Sequence, residues 1–150
     1  MRTEMITDRK VLHQHAPFIL HAINKVAKHN KEKFNSLVFF RFILDEVQTG
    51  RVGVCMQFID DLPVLLCVMV LRPNDLGQVY AEIVLVYNLP TAKPKVGLED
   101  YCIPWIKKNG ASLVVTFTPM EDTQKENEVS LRRMRKYNFV KRATMFERIV

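Results

Sequence analysis

Glu82 is the one carboxylate within residues 79–87, a run that is otherwise apolar, aromatic and β-branched. A carboxylate set in such a run is either ion-paired or edge-facing, or it is kept for proton transfer. Beyond it, Lys93 and Lys95 stand in a stretch punctuated by Pro90, Pro94 and Gly97, with Val96 between. Their charge suits a phosphorylated ligand. Asp60 and Asp61 are adjacent carboxylates, but adjacency between two apolar runs marks a turn rather than an acid–base pair. His13, His15, His21 and His29 all fall within residues 9–29. No carboxylate or cysteine there has ligand spacing, so they read as a solvated helix face and no metal is expected. Cys55, Cys67 and Cys102 are isolated in apolar surroundings. They read as buried small hydrophobes in a reducing compartment, not as a disulfide or zinc framework.

The elements that must position these groups follow from periodicity. Residues 79–87 read as a strand covered on both faces. Residues 98–109 are amphipathic, and Gly110 is placed to stop that helix. Residues 112–118 read as a second buried strand. Strand, crossover helix and strand predict a right-handed parallel βαβ unit, with its ligand loop beyond the first strand at residues 90–97. Upstream, residues 3–7 suggest a short strand. Asp8 suits the N-cap of a helix over residues 9–29 that kinks or restarts at Pro17. A second helix spans residues 36–47, its aromatic residues reading as core. Two strands, 52–59 and 63–71, make a hairpin about Asp60 and Asp61. After residue 118 come a loop, a helix over 126–137 with Trp105 of the preceding helix left in the core, and one or two short strands over 141–150. No internal repeat or low-complexity segment interrupts this order.

The chain has 150 residues, 48% of them apolar and 25% charged. That suits one globular domain, residues 1–150. No apolar run approaches the roughly 20 residues needed to span a bilayer, and residues 1–4 lack a secretion signal. A cytoplasmic protein without a membrane partner is expected. The net charge of +6 is uneven. Residues 1–90 hold ten Lys/Arg against nine Asp/Glu, and residues 91–150 hold twelve against seven. The basic excess of the second part suits a polyanion, either a phosphorylated cofactor or nucleic acid. The cluster Arg132, Arg133, Arg135 and Lys136 has the same two readings, nucleic-acid contact or solvated helix face.

The order β-α-α-β-β-β-α-β-α-β resembles the GNAT superfamily of acetyl-CoA-dependent N-acyltransferases, over nearly the whole chain. The sharpest resemblance lies in residues 127–139, where Asn127, Ser130, Leu131 and Phe139 fit the family's pattern. Asn138 stands where the family has glycine, and asparagine is the second choice for a left-handed helix end. Residues 81–86 look like the family's central strand and residues 106–111 like the end of its cofactor helix. The resemblance implies an α/β fold: a mixed sheet with antiparallel N-terminal strands, a parallel central pair, and helices on both faces. It implies that the central strand splays from its neighbour at a bulge, where backbone groups bind the pantetheine arm and polarise the thioester carbonyl. It implies that acetyl-CoA is bound by Val86 and Tyr87 at the end of this strand, by Lys93, Lys95, Val96 and Gly97 in the following loop, and by Asn127 and Ser130 of the later helix. It implies Glu82 as a general base acting through water on an amine. Two positions depart from the pattern. Ala92 and Lys95 stand where the loop usually has Gln or Arg and a first glycine. Met134 stands where a tyrosine usually protonates the departing thiolate, and a thioether has no proton to give. The first expectation is therefore transfer of an acetyl group to a small-molecule or protein amine. The others are a GNAT-fold protein without transfer chemistry, such as an internal virion component of a bacteriophage located in host cytoplasm or virion, with homo-oligomer or virion assembly as its partner state, and a GNAT-related nucleic-acid modifier.

Overall fold

The computed structural model describes residues 1–30, 35–92, 97–117, 123–142 and 148. The chain forms two compact units, Met1–Phe117 and Thr118–Val150.

The first unit is built on a five-stranded sheet in the order β1-β2-β3-β4-β5. Its strands are β1 (Arg2–Ile6), β2 (Val52–Ile59), β3 (Leu62–Pro73), β4 (Val79–Asn88) and β5 (Val114–Thr116). The first four pair antiparallel, and β4 pairs with β5 in parallel. The expected βαβ unit is therefore present. β5, however, is shorter than the apolar run suggested. Leu113 and Phe117 are exposed and residues 114–116 are only half-buried, because β5 has one strand partner among the described residues.

Helices cover both faces of this sheet. Three of them, α1 (Arg9–Gln14), α2 (Ala16–His29) and α3 (Ser36–Val47), lie on one face. The break between α1 and α2 falls at His15, just ahead of Pro17, which occupies the first turn of α2, where a missing N–H costs nothing. Asp8 caps α1 by accepting from the Lys10 amide, and Asn35 caps α3 by accepting from Leu37 and Val38. Leu12, Ile19, Ile23, Phe40, Ile43 and Leu44 of these helices pack on Val54, Met56, Leu66, Val68, Val70 and Leu85 of the sheet. Burying a side chain of this kind contributes about 1.5–3 kcal/mol, so this layer is the main source of cohesion.

The opposite face is closed by a π-helical turn, Leu98–Cys102, that runs into α4 (Ile103–Lys108). The indole of Trp105 lies so close over Gly53 that a Cβ there would stand 2.8 Å from ring carbons, so β2 needs glycine at this contact. Gly110 takes φ +84 after α4, and the Gly110 and Ala111 amides close back on the Lys107 and Ile106 carbonyls. This is a left-handed helix stop that glycine adopts without strain. Asp60 and Asp61 form the two-residue hairpin between β2 and β3, both with positive φ, as a type I′ turn requires.

In the second unit, α5 (Gln124–Lys136) starts with a capping box. Thr123 accepts from the Glu126 amide, and Glu126 holds the third position. The helix ends through Asn138 at φ 62, with the Asn138 and Phe139 amides donating to Arg135 and Met134. Asparagine thus makes the same stop that glycine makes after α4. Residues 141 and 142 are irregular, and most of the expected final strand lies outside the described residues.

Candidate functional site

β4 changes character halfway along. Its first part, residues 81–83, pairs with β3 on one side and with β5 on the other. The pairing with β3 then slips: Met69 faces Ile83, but Val68 faces Leu85, so Val84 is an extra residue, a β-bulge. β5 ends at the same level, opposite Ile83. From Val84 to Asn88, β4 has no strand on its β5 side among the described residues. A bulge bends a strand and increases its twist, which turns the end of β4 away from β5. The result is an open edge of backbone beside the tip of β5.

The direction of the backbone groups along this edge follows from the pairing. Leu89 donates its amide to the Val64 carbonyl, towards β3. With a period of two, Tyr87 and Leu85 turn theirs the same way, and Val86 and Asn88 turn theirs to the open side. Side chains alternate too. Tyr87, paired with Leu66, shares the α1–α3 face, whereas Val86, paired with Cys67, faces the other. Val86 is 41% exposed.

Three ionisable side chains of β4 lie on the α1–α3 side of the sheet by parity, Tyr80 and Glu82 before the bulge and Tyr87 after it. Glu82, paired with Val70, is drawn into an ion pair by the Arg72 Nε. The carboxylate is only 15% exposed, and the guanidinium closes over it from β3. Tyr87 lies on the open half. Its hydroxyl is 3.2 Å from His21 Nε2 of α2, whose ring meets the phenol edge-on with centroids 5.7 Å apart. Phe18, one turn earlier on α2, meets the same ring at 5.9 Å. The histidines of residues 9–29 are thus more than a solvated face. His21 bonds to Tyr87, and His15 tilts against Phe58 with centroids 5.1 Å apart.

Beyond β4, Lys93, Lys95 and Val96 lie outside the described residues. Gly97 is described, half-buried at the start of the π-helical turn, where the Tyr101 and Cys102 amides donate to its carbonyl. A Cβ on Gly97 would stand 2.8 Å from the Tyr101 ring, so a larger residue here would displace that exposed side chain. Glu99 and Asp100 occupy the first turn of this helix and are exposed. They favour the helix through its dipole, and they set negative charge against an anion at the same end. Asn127 and Ser130 lie on α5 in the second unit. Met134 lies on that helix too, and Arg132, Arg133, Arg135 and Lys136 are exposed along its C-terminal half, where cations favour the helix dipole.

The three cysteines are buried and unbridged on the side of the sheet away from α1–α3. Cys102 reaches from the helical turn to Cys55 and Cys67, which face each other across β2 and β3. The hydrogen bond with Cys102, then burial, push the Cys55 thiol far up. The Cys55 bond pulls Cys102 down, but the bond to Cys67 and burial outweigh it, and that thiol also rises. These groups stay protonated and pack as small apolar side chains.

Sequence reasoning picked out Glu82, Val86, Tyr87 and Gly97 and missed Arg72 and His21; the family resemblance implied a bulge in the central strand but not its position at Val84. Arg72 and His21 act through contacts between residues distant in sequence, and no glycine or proline marks the bulge within Glu82-Ile83-Val84-Leu85.

No family model matches the sequence, and no curated protein matches it. Solved structures do match the fold. A predicted acetyltransferase from Clostridium acetobutylicum, solved with acetyl-CoA, superposes with a TM-score of 0.72 at 10% identity, over 99% of this chain and 95% of that one. An aminoglycoside acetyltransferase from an uncultured soil metagenomic sample, in complex with sisomicin, gives 0.67 at 11% identity over 99% and 95%. The ribosomal-protein-alanine N-acetyltransferase of Brucella melitensis biovar Abortus 2308 gives 0.61 at 11% identity over 100% and 99%. The fold of this chain is that of the GNAT acetyltransferases, as the mixed sheet and its parallel β4–β5 pair indicate. Among the described residues no helix is long and apolar enough to cross a membrane.

Proposed function

We propose that the chain is an N-acyltransferase that moves an acetyl group from acetyl-CoA to an amine, with residues 1–150 acting as one catalytic domain. The observation that carries this reading is the open backbone edge from Val84 to Asn88, created by the bulge and by the early end of β5. A strand edge of this kind offers amides that a pantetheine arm and a thioester carbonyl can use. Bound there, acetyl-CoA supplies an activated acyl carbon and a thiol leaving group. The Val86 amide, turned to the gap, is placed to polarise the acyl oxygen, with Tyr87 beside it. Lys93, Lys95, Val96 and Gly97 are assigned to the diphosphate, the lysines offsetting Glu99 and Asp100, and Asn127 and Ser130 of α5 to the same donor. Glu82, oriented by Arg72, is assigned as the base that accepts the ammonium proton through water. The acceptor is a small-molecule or protein amine; the sisomicin complex of a structural neighbour supports the former.

A second reading rests on Glu99 and Asp100 at the helix start together with Met134. On that reading the fold is kept as a scaffold without turnover, as in a virion component. Titration calorimetry with CoA and acetyl-CoA, followed by a free-thiol release assay across an amine panel, decides between them. Binding with amine-dependent thiol release supports the transferase. No heat at millimolar CoA and no release above the buffer rate favours the scaffold.

A further inference from the structure

The inference here rests on the transferase reading and concerns a step for which that reading names no residue. Met134 has no proton to give, so the departing thiolate needs another donor. Glu82 is poorly placed for it. Its β3 partner is Val70, while that of Tyr87 is Leu66, four residues along, or about 13 Å between the two positions at strand spacing. Tyr87 follows Val86 directly and lies on the open half of β4. Its hydroxyl is in contact with an exposed imidazole rather than sealed in the core.

We propose that Tyr87 is the general acid that protonates the departing thiolate, and that His21 is its positioning residue, holding the phenol and resupplying its proton from solvent. In this step the amine nitrogen bonds to the acyl carbon, the C–S bond breaks, and its electron pair stays on sulfur. The phenolic proton passes to sulfur and yields the thiol. The phenolate takes a proton from His21 Nε2, and His21 refills from water on the exposed face of α2. The nitrogen loses two protons, one from the ammonium before attack, taken through water by Glu82, and one from the acylated nitrogen to solvent. One enters through His21, so one proton is released net per acetyl group and the protein returns to its starting state. An ordinary phenol titrates near pH 10 and an ordinary thiol near 8.5, so unaided transfer runs uphill by about 1.5 units. A hydrogen bond from His21 Nε2 to the oxygen as its charge develops favours the transfer, which is why the pair, and not tyrosine alone, fits the task.

The layer around His21 is mostly apolar. β3 and α3 face it with Leu66, Val68, Val70, Phe40, Ile43 and Leu44, β3 adds Arg72, and Tyr80 of β4 shares that side of the sheet by parity. On α3, Asp45 is engaged by Arg9 of α1. On β4, Glu82 is engaged by Arg72 and Tyr87 is the direct contact. On α2 itself, Lys25 lies one turn on and is exposed. Among the described residues His21 forms no ion pair.

The same contact also joins α2 to β4, so the test must separate chemistry from packing. Tyr87→Phe keeps the ring against Phe18 and removes only the hydroxyl. It is compared with His21→Gln and wild type, using acetyl-CoA with n-butylamine. The expected result for Tyr87→Phe is a fall in kcat of about 10²-fold, with CoA affinity by calorimetry unchanged and the alkaline limb of the pH–kcat profile lost. His21→Gln lowers kcat less and moves that limb. Without any donor present, the imidazole nitrogen NMR signal of His21 moves in Tyr87→Phe, as loss of the 3.2 Å contact with the hydroxyl requires. Wild-type kcat and an intact alkaline limb in Tyr87→Phe overturn the assignment while leaving the transferase reading in place. Absence of thiol release from wild type across the amine panel removes both.

Discussion

The two halves of β4 have nearly the same composition and opposite roles. Residues 81–83 are held by strands on both sides, and their one polar side chain, Glu82, is locked by Arg72. Residues 84–88 are held on one side only, and their Tyr87 meets an exposed histidine of α2. One inserted residue, Val84, separates them. Apolar β-branched sequence therefore specifies a strand but not how many neighbours it has. The neighbour count, set by the bulge and by the length of β5, decides which half can bind anything.

The most severe way to erase this contrast is to delete Val84. Removing the extra residue lets Leu85 follow Ile83 in a regular ladder, with Leu85 and Tyr87 still opposite Val68 and Leu66 on the α1–α3 face, but without the bend that opens the edge. Loss of CoA binding by calorimetry is expected, with a cost of about 0.5–3 kcal/mol in denaturant unfolding because the packed partners are kept. Retained CoA binding would mean that the bulge does not make the edge. Next, Leu85→Ala and Val86→Ala compare inward and outward positions of the open half. Leu85 is 4% exposed and Val86 41%. The former should cost about 2–5 kcal/mol and the latter within about 0.5 kcal/mol, by urea titration. Equal losses would place Val86 in the core. In the closed half, Arg72→Met leaves the half-buried Glu82 carboxylate without its partner. The cost should be about 1–2 kcal/mol, limited because Arg72 is 40% exposed and screened by solvent. Adding Glu82→Gln should recover part of it, and a failure to recover would show that the pair is not coupled. A smaller effect tests the turn that fixes the register of β2 and β3. Asp61→Gly, at φ 61, should stabilise by several tenths of a kcal/mol to about 1 kcal/mol in thermal unfolding, because glycine adopts this conformation freely.

Much of this was legible in the sequence, for identifiable reasons. The helices announced themselves through Asp8, Gly110 and Asn138, residues whose local chemistry starts or stops a helix wherever it occurs. The antiparallel strands followed from apolar runs separated by the turn at Asp60 and Asp61. The end of β5 was not legible. Ser112 to Thr118 is uniformly suited to a strand, yet pairing with β4 covers only Val114–Thr116. The position of the bulge, which the family resemblance implied only in general, was equally silent, since Ile83, Val84 and Leu85 are interchangeable as strand formers. Arg72 and His21 could not be paired with Glu82 and Tyr87, because ten and 66 residues separate the partners. The candidate site was thus readable as a strand and a loop, while the partners that tune it came from the packing of distant segments.

The central claim is that the Val86 and Asn88 amides face an open edge that binds the acyl donor. Amide hydrogen exchange along β4, with and without CoA, tests it most directly. In free protein the Val86 and Asn88 amides should exchange quickly while Leu85 and Tyr87, bonded to β3, exchange slowly. Saturating CoA should slow Val86 and Asn88 and leave the other two unchanged. All four amides protected to the same degree in free protein, or no change at Val86 and Asn88 when calorimetry shows CoA bound, would contradict the account.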